Sequence, residues 1–128
     1  MSIPTVAIQK AVYQKLSSAL GAVIVYDSVP QETVMPYVSI DRVEVMASDY
    51  LASRKDERFV YLSVWSRYRG QKEVLDVLSV MDGAMHNAAL NLENGHAVSC
   101  RVVRQNTSRD SDGLTFQGSM TLAIRTTH

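Results

Sequence analysis

The sequence predicts an α+β fold in which two α-helices pack on one face of an antiparallel β-sheet. Two stretches carry apolar residues at helical spacing, and the other apolar stretches have the composition or alternation of strands. Short connections between consecutive strands favour antiparallel pairing, and two amphipathic helices need a common apolar surface. The predicted order is therefore helix, three strands, helix and a closing β-hairpin.

The first helix is predicted over residues 4–20, and a short strand follows it over residues 22–26. Pro4 suits the first turn of a helix and Gly21 suits its end. The strand is β-branched and aromatic and runs into a turn at residues 27–30. The helix places one stripe of apolar side chains toward the core: Ile8, Ala11, Val12, Leu16, Ala19 and Leu20.

Two further strands are predicted over residues 37–45 and 58–66. The first alternates apolar and polar residues and changes face near Arg42, which indicates a β-bulge. The polar residues between the strands, 47–57, are interpreted as an extended loop. The second strand is apolar on both faces, which is typical of a central strand or of one covered by a partner. Val60, Leu62 and Val64 lie on one face, and Phe59, Tyr61 and Trp65 lie on the other.

The helical period returns over residues 71–87, and two strands over residues 97–106 and 114–126 complete the chain. Gly83 interrupts the helical pattern at a cost of about 1 kcal/mol relative to alanine, which predicts a close helix contact or a bend there. The pair Asp112-Gly113 favours a hairpin turn between the last two strands. Cys100 is predicted to point into the core.

Size and charge indicate one soluble domain over residues 1–128. The chain has 13 basic and 13 acidic residues, so no global field attracts nucleic acid or an anionic membrane. One cysteine excludes an intramolecular disulfide. The sequence shows no secretion signal and no apolar run near the roughly 18 residues of a membrane span. We therefore expect a protein made in the cytoplasm, without a membrane partner.

The sequence predicts no enzymatic chemistry, no cofactor and no metal site. The three histidines, His86, His96 and His128, do not form a ligand pattern. Asp110 and Asp112 stand at a hairpin tip, where aspartate is common because it bonds nearby backbone amides. No nucleophile elbow and no glycine-rich phosphate signature occurs.

The segment Trp65–Lys72 concentrates aromatic and cationic residues in a few positions. Arg67, Tyr68, Arg69 and Lys72 are of the types that single-strand nucleic-acid binders use. The same residues also fit a strand-to-helix corner, and the neutral charge of the chain favours this second interpretation. It leaves open what the exposed cations contact.

Several blocks of the sequence together resemble one family. They are VYDSVPQ at 25–31, MPYVSI at 35–40, LSVWSRYRG at 62–70 followed by Lys72-Glu73, and the turn RDSDG at 109–113. In order and spacing they resemble the tail terminator proteins of tailed phages and gene transfer agents. This family, also called tail completion or tail-to-head joining proteins, is similar in fold to the phage lambda minor tail protein U.

The resemblance implies a structural virion protein at the head-proximal end of the tail, assembled in the host cytoplasm. It implies a homo-oligomeric ring, commonly a hexamer, that caps the tail tube, ends its polymerisation and joins the head connector protein. DNA would only pass through its lumen. The subunit-interface candidates are Trp65, Arg67, Tyr68, Arg69 and Lys72. The candidates for contact with the tube protein or a neighbour are Asp49, Tyr50, Arg54, Lys55, Asp56 and Glu57.

Two alternatives remain open from the sequence. The first is a head-completion or connector component, which would purify with capsids instead of tail tubes. The second is a small nucleic-acid-binding α+β module that uses the basic corner, and it predicts single-strand binding that weakens with salt.

Overall fold

A computed structural model describes residues 5–30, 33–50, 53–68, 70–89 and 98–127 of the 128-residue chain. The α+β class predicted from the sequence is confirmed, and both predicted helices are present. Pro4 lies outside the described residues. The helices are α1 (Thr5–Leu20) and α2 (Lys72–Met85), and the strands are β1 (Ile24–Tyr26), β2 (Tyr37–Tyr50), β3 (Ser53–Ser66), β4 (Ala88–Ala89), β5 (Val98–Arg109) and β6 (Phe116–Thr127).

Within these ranges the strands form one sheet in the order β1-β2-β3-β6-β5-β4. The strand β3 lies between β2 and β6 and is antiparallel to both, which confirms the prediction of a central strand. The strand β1 pairs with the start of β2 in parallel, so the prediction of a wholly antiparallel sheet is wrong at this pair. For parallel pairing, the chain must return to the end of the sheet at which β1 begins. Since β1 has three residues and is about 10 Å long, the connection over residues 27–36 is long enough for this return.

The polar segment predicted as a loop over residues 47–57 is strand, and this prediction is wrong. The register of β2 against β3 continues to the pair Tyr50 and Ser53, so only residues 51 and 52 remain between the strands, outside the described ranges. Backbone hydrogen bonds across the hairpin hold this part together. Its sequence is polar at most positions and shows no alternation of apolar and polar residues by which a strand is recognised. The predicted bulge near Arg42 is confirmed by a register shift between Ile40 and Arg42.

Both helices pack on the same face of the sheet and form the core with it. On β6 the residues of this face are the even-numbered ones from Phe116 to Ile124, all buried. Gly118 lies directly under α2, because a Cβ built on it would be 2.6 Å from Val74 Cγ1 and 3.0 Å from Leu78 Cδ1. Cys100 is fully buried in this core, as predicted.

The sequence predicts a structural role for each of two glycines, and the two predictions have different results. At Gly83 the predicted close contact is wrong, since a Cβ built there meets nothing within 4 Å. At the hairpin, Gly113 has the positive φ of 73° that the Asp-Gly turn requires, and its N–H donates to the carbonyl of Asp110 at 3.0 Å. The predicted hairpin of β5 and β6 is confirmed.

Candidate functional site

The corner, which we define as residues Trp65–Lys72, joins the end of β3 to the start of α2. Ser66 anchors it, because its fully buried hydroxyl donates to Glu73 Oε1 at 2.6 Å and accepts from the backbone N–H of Tyr68 at 3.0 Å. Gly70 follows with a positive φ of 74°, and Gln71 is the N-cap residue of α2. A hydroxyl and one glycine thus hold the turn, and Arg67 and Lys72 remain exposed on it.

The predicted interface residues of the corner occupy different environments. Arg67 and Tyr68 are exposed, and Lys72 makes an exposed ion pair with Asp76 at 3.6 Å, a geometry worth little in stability. Arg69 lies outside the described residues. Trp65 is half-buried and points to the face of the sheet opposite the helices, so the structure places it apart from the exposed cations.

We call the face of the sheet away from the helices the outer face. Phe59, Tyr61 and Trp65 lie on it, half-buried among their neighbours, and no helix in the described ranges covers them. The guanidinium of Arg42 lies 4.2 Å from the centre of the Tyr61 ring, a cation–π contact. The outer face therefore combines aromatic rings with a cation, and it is open to solvent or to a partner.

A small polar network on the outer face was not predicted from the sequence. Asp41, which stands at the bulge of β2, accepts hydrogen bonds from the hydroxyls of Ser39 (2.8 Å) and Ser63. The indole N–H of Trp65 donates to Ser39 Oγ at 3.4 Å, and the side-chain amide of Gln117 donates to Ser63 Oγ at 3.2 Å. The alternation break near Arg42 was the signal in the sequence that marked this position.

The hairpin arm, defined as residues 45–58, is the end of β2 and β3 farthest from the corner. Val45 and Met46 point to opposite faces and are 47% and 53% exposed, so the arm is uncovered on both faces at this level of β2. Glu57 is the one candidate here with a described side chain, and its carboxylate is 2.8 Å from Arg125 Nε. The other candidates, Asp49, Tyr50, Arg54, Lys55 and Asp56, have a described strand backbone, and their side chains lie outside the described part.

A cavity of about 110 Å³ lies on the outer face next to the arm. Glu57, Phe59, Arg101 and Arg125 are among its lining residues. Its walls are therefore mixed, with an aromatic ring between charged groups of both signs.

The carboxylate of Asp112 accepts hydrogen bonds within the turn between β5 and β6. Asp112 accepts from the hydroxyl of Thr115 at 2.7 Å and from the backbone N–H groups of Thr115 and Leu114, each at 2.8 Å. The hydrogen bond from the Thr115 hydroxyl, followed by the two backbone bonds, lowers the pKa of Asp112 below its ordinary value. This confirms the interpretation of the aspartate as a turn residue.

The described residues do not contain a cluster of three or more His, Cys, Asp or Glu side chains that could hold a metal ion. His86 Nδ1 instead accepts a hydrogen bond from the backbone N–H of Val102 at 3.1 Å. Desolvation by burial raises the pKa of the Cys100 thiol to about 11. Neither helix of the described chain is long and apolar enough to cross a membrane.

Comparison with known proteins shows the family of this chain. Among solved structures, a chain from the virion of a native gene transfer agent particle is similar, with a TM-score of 0.82 and 20% sequence identity over 97% of each chain. At this identity the likeness shows a shared fold. No curated protein matches the sequence. The family model described as "Tail completion protein gp17" matches residues 10–127. Since that match spans most of the chain, the resemblance found in the sequence is confirmed, and the chain belongs to the tail completion protein gp17 family, with a structural role in a tail.

Proposed function

We propose that this protein forms a homo-oligomeric ring, a hexamer, that caps the tail tube, ends its polymerisation and provides the joint to the head connector protein. Membership of the tail completion family supports a location in the tail, and one structural observation supports the capping of the tail tube. Val45 and Met46 are exposed on opposite faces of β2, so the hairpin arm carries apolar side chains that the chain itself does not cover. A partner that contacts either face of the arm at this level would cover one of these side chains.

In this proposal the arm contacts the tail tube or the neighbouring subunit. Its sequence also carries Arg54, Lys55, Asp56 and Glu57, so both signs of charge are available to set a register. The strand structure of the arm supports this role, because a paired hairpin presents its side chains from a fixed backbone at lower ordering cost than a loop.

The corner contributes to the contact between subunits. A ring is a closed head-to-tail assembly, so one patch on each copy meets a different patch on the next copy. Arg67, Tyr68 and Lys72 are exposed at the corner, and Arg69 is adjacent in sequence. Ser66 and Glu73 hold the corner beneath them, so the cations are presented on a structured turn.

The protein acts without catalysis and without a cofactor in this proposal. Its place is the head-proximal end of the tail in the virion, after assembly in the host cytoplasm, and DNA only passes through the lumen of the ring. The neutral net charge of the chain supports passage without tight binding.

Negative-stain electron microscopy of the purified protein, alone and with tail tubes, tests the ring. We expect rings with a central hole, and rings at one end of tubes whose length no longer grows. Copurification with empty capsids and not with tubes would favour a head-completion component instead. A protein that forms no ring in solution or on tubes contradicts the proposal.

The double substitution Arg67→Glu with Arg69→Glu tests the corner. We expect the oligomer to shift toward monomer in sedimentation velocity, because two cations that face a partner become anions. Gln14→Glu with Ser18→Glu, at exposed positions of α1, is the control for added negative charge. An oligomer that is unchanged by the corner substitutions removes the corner from the interface. A gel shift with single-stranded DNA, lost in the same variant, would favour nucleic-acid binding.

A further inference from the structure

Each side of the sheet ends in a long strand that is only partly paired within the described ranges. On one side, β1 pairs with residues 37–39 of β2 and leaves β2 open from residue 40 to residue 50. On the other side, β4 pairs with residues 99 and 100 of β5, and His86 accepts from the N–H of Val102. The rest of β5, residues 103–109, is open. Open edge strands present backbone groups to which another strand can be added.

The two open segments lie at opposite ends of the sheet. Arg42, Tyr61, Thr121 and Arg104 are side by side in one row across β2, β3, β6 and β5. From this row the open part of β2 runs toward the hairpin arm, and the open part of β5 runs toward the corner. Two copies that pair these segments are shifted along the strands relative to each other. Such a stagger is what a sheet needs to close into a barrel.

Strand direction and curvature also fit this pairing. Because β2, β3, β6 and β5 alternate in direction, β5 of one copy runs antiparallel to β2 of a copy related to it by rotation. Both strands have a register shift at the same level, between Ile40 and Arg42 in β2 and between Val102 and Arg104 in β5. Bulges bend and twist strands, which gives a sheet the curvature of a closed ring.

The two edges have opposite charge. Three arginines and no carboxylate occur in β5, namely Arg101, Arg104 and Arg109. The open segment of β2 contains Asp41, Glu44 and Asp49 against Arg42 alone, and the guanidinium of Arg42 lies over Tyr61. Glu44 and Arg104 are exposed, and neither forms an ion pair with another described residue. Opposite charges on the two edges favour head-to-tail contact between copies and disfavour contact between like edges.

We propose that the ring is closed by edge-to-edge pairing, in which the open part of β5 in one copy adds to the open part of β2 in the next copy. The partner is thus a second copy of this chain, and the sheet continues from copy to copy. This inference rests on the proposed function, because it names the contact that holds the proposed ring together.

Charge reversal on each edge tests the pairing. Glu44→Arg places a cation on the β2 edge, where it would meet the arginines of β5 in the next copy, and Arg104→Glu places an anion on the β5 edge, where it would meet the carboxylates of β2. We expect each variant alone to shift from ring to monomer in sedimentation velocity at a concentration where the wild type is assembled. A mixture of the two variants restores assembly, and native mass spectrometry detects oligomers that contain both. Gln14→Arg and Gln14→Glu, on the exposed side of α1, are the controls, and circular dichroism checks that all variants fold.

A crosslinking experiment gives an independent readout. Cys100 is fully buried, so cysteines introduced by Glu44→Cys and Arg104→Cys are the accessible thiols in the double variant. A short bismaleimide is expected to join copies into a ladder on a denaturing gel, and each single variant is expected to give at most dimers.

The outcomes separate this inference from the proposed function. If the wild type forms rings and either charge reversal alone forms them equally well, the edge pairing is wrong and the ring stands. If both variants are folded monomers that do not assemble when mixed, the edge pairing is also wrong. A wild-type protein without any oligomer, on tubes or in solution, contradicts the ring and the edge pairing together.

Discussion

Gly118 shows how one residue sets the distance between two layers of this fold. It lies on the helix face of β6, where the alternation of apolar residues places a small residue among large ones. Val74 and Leu78 of α2 occupy the space that a side chain would need. The sequence shows the alternation, and the contact exists only because α2 crosses the sheet at this point.

Gly118→Ala is expected to lower the free energy of unfolding by about 1–3 kcal/mol, because the new Cβ must displace the buried Val74 side chain. Gly83→Ala is the matched control in α2, where a Cβ meets nothing and alanine is expected to stabilise the helix by about 0.5–1 kcal/mol. Urea denaturation followed by circular dichroism measures both. Equal stabilities for Gly118→Ala and wild type would contradict the packing described here.

The corner is a strand-to-helix joint, as the sequence favours, and the structure adds the position of each described side chain in it. Its aromatic and cationic residues separate, because Trp65 belongs to the outer face whereas Arg67 and Tyr68 are exposed at the turn. Ser66 connects β3 to α2 through Glu73, which also lies in the first turn of the helix, where a negative charge is favourable. The element is therefore a hydrogen-bonded joint with cations on its surface.

Ser66→Ala is expected to destabilise the protein by about 1–2 kcal/mol, because it removes two part-buried hydrogen bonds, one to the Glu73 carboxylate and one from the Tyr68 N–H. Ser79→Ala, on the exposed side of α2, is expected to change stability by less than about 0.5 kcal/mol. Thermal denaturation compares the two variants. The joint would be ruled out as a stabilising contact if both substitutions had the same small effect.

The elements that the sequence predicted well are those with one buried face. In α1 and α2 one face is buried, so apolar residues recur three and four positions apart. In β6 one face is also buried, so the apolar residues alternate along the strand. The sequence of the hairpin arm shows no such spacing, and the two-residue strand β4 is too short to show any period. Both are held by pairing with a neighbouring strand, which a pattern along one segment does not report.

On the scale of the whole molecule, two helices cover one face of the sheet, and no helix of the described ranges covers the other face. The described core joins both helices to the four long strands, so its side chains become accessible only when the layers separate. Cys100, fully buried between these layers, is a natural probe of that separation.

We expect Cys100 in the folded protein to react with a thiol reagent at pH 8 about 1,000-fold or more slowly than in the unfolded chain. The reason is that the thiol is buried and its pKa is raised to about 11, so that reaction needs an opening of the whole domain. A colour assay for free thiols, with and without denaturant, measures the two rates. Rapid labelling of the folded protein would show that the layers open locally at β5.

The sequence by itself determined the α+β class, both helices, the central strand, the closing hairpin and the family, because these depend on local spacing and on the order of short blocks. Only the tertiary structure decided the parallel pairing of β1, the strand character of the arm and the positions of the two open sheet edges. Those features depend on which strand lies beside which, and strand pairing is made by backbone groups that every residue except proline carries alike.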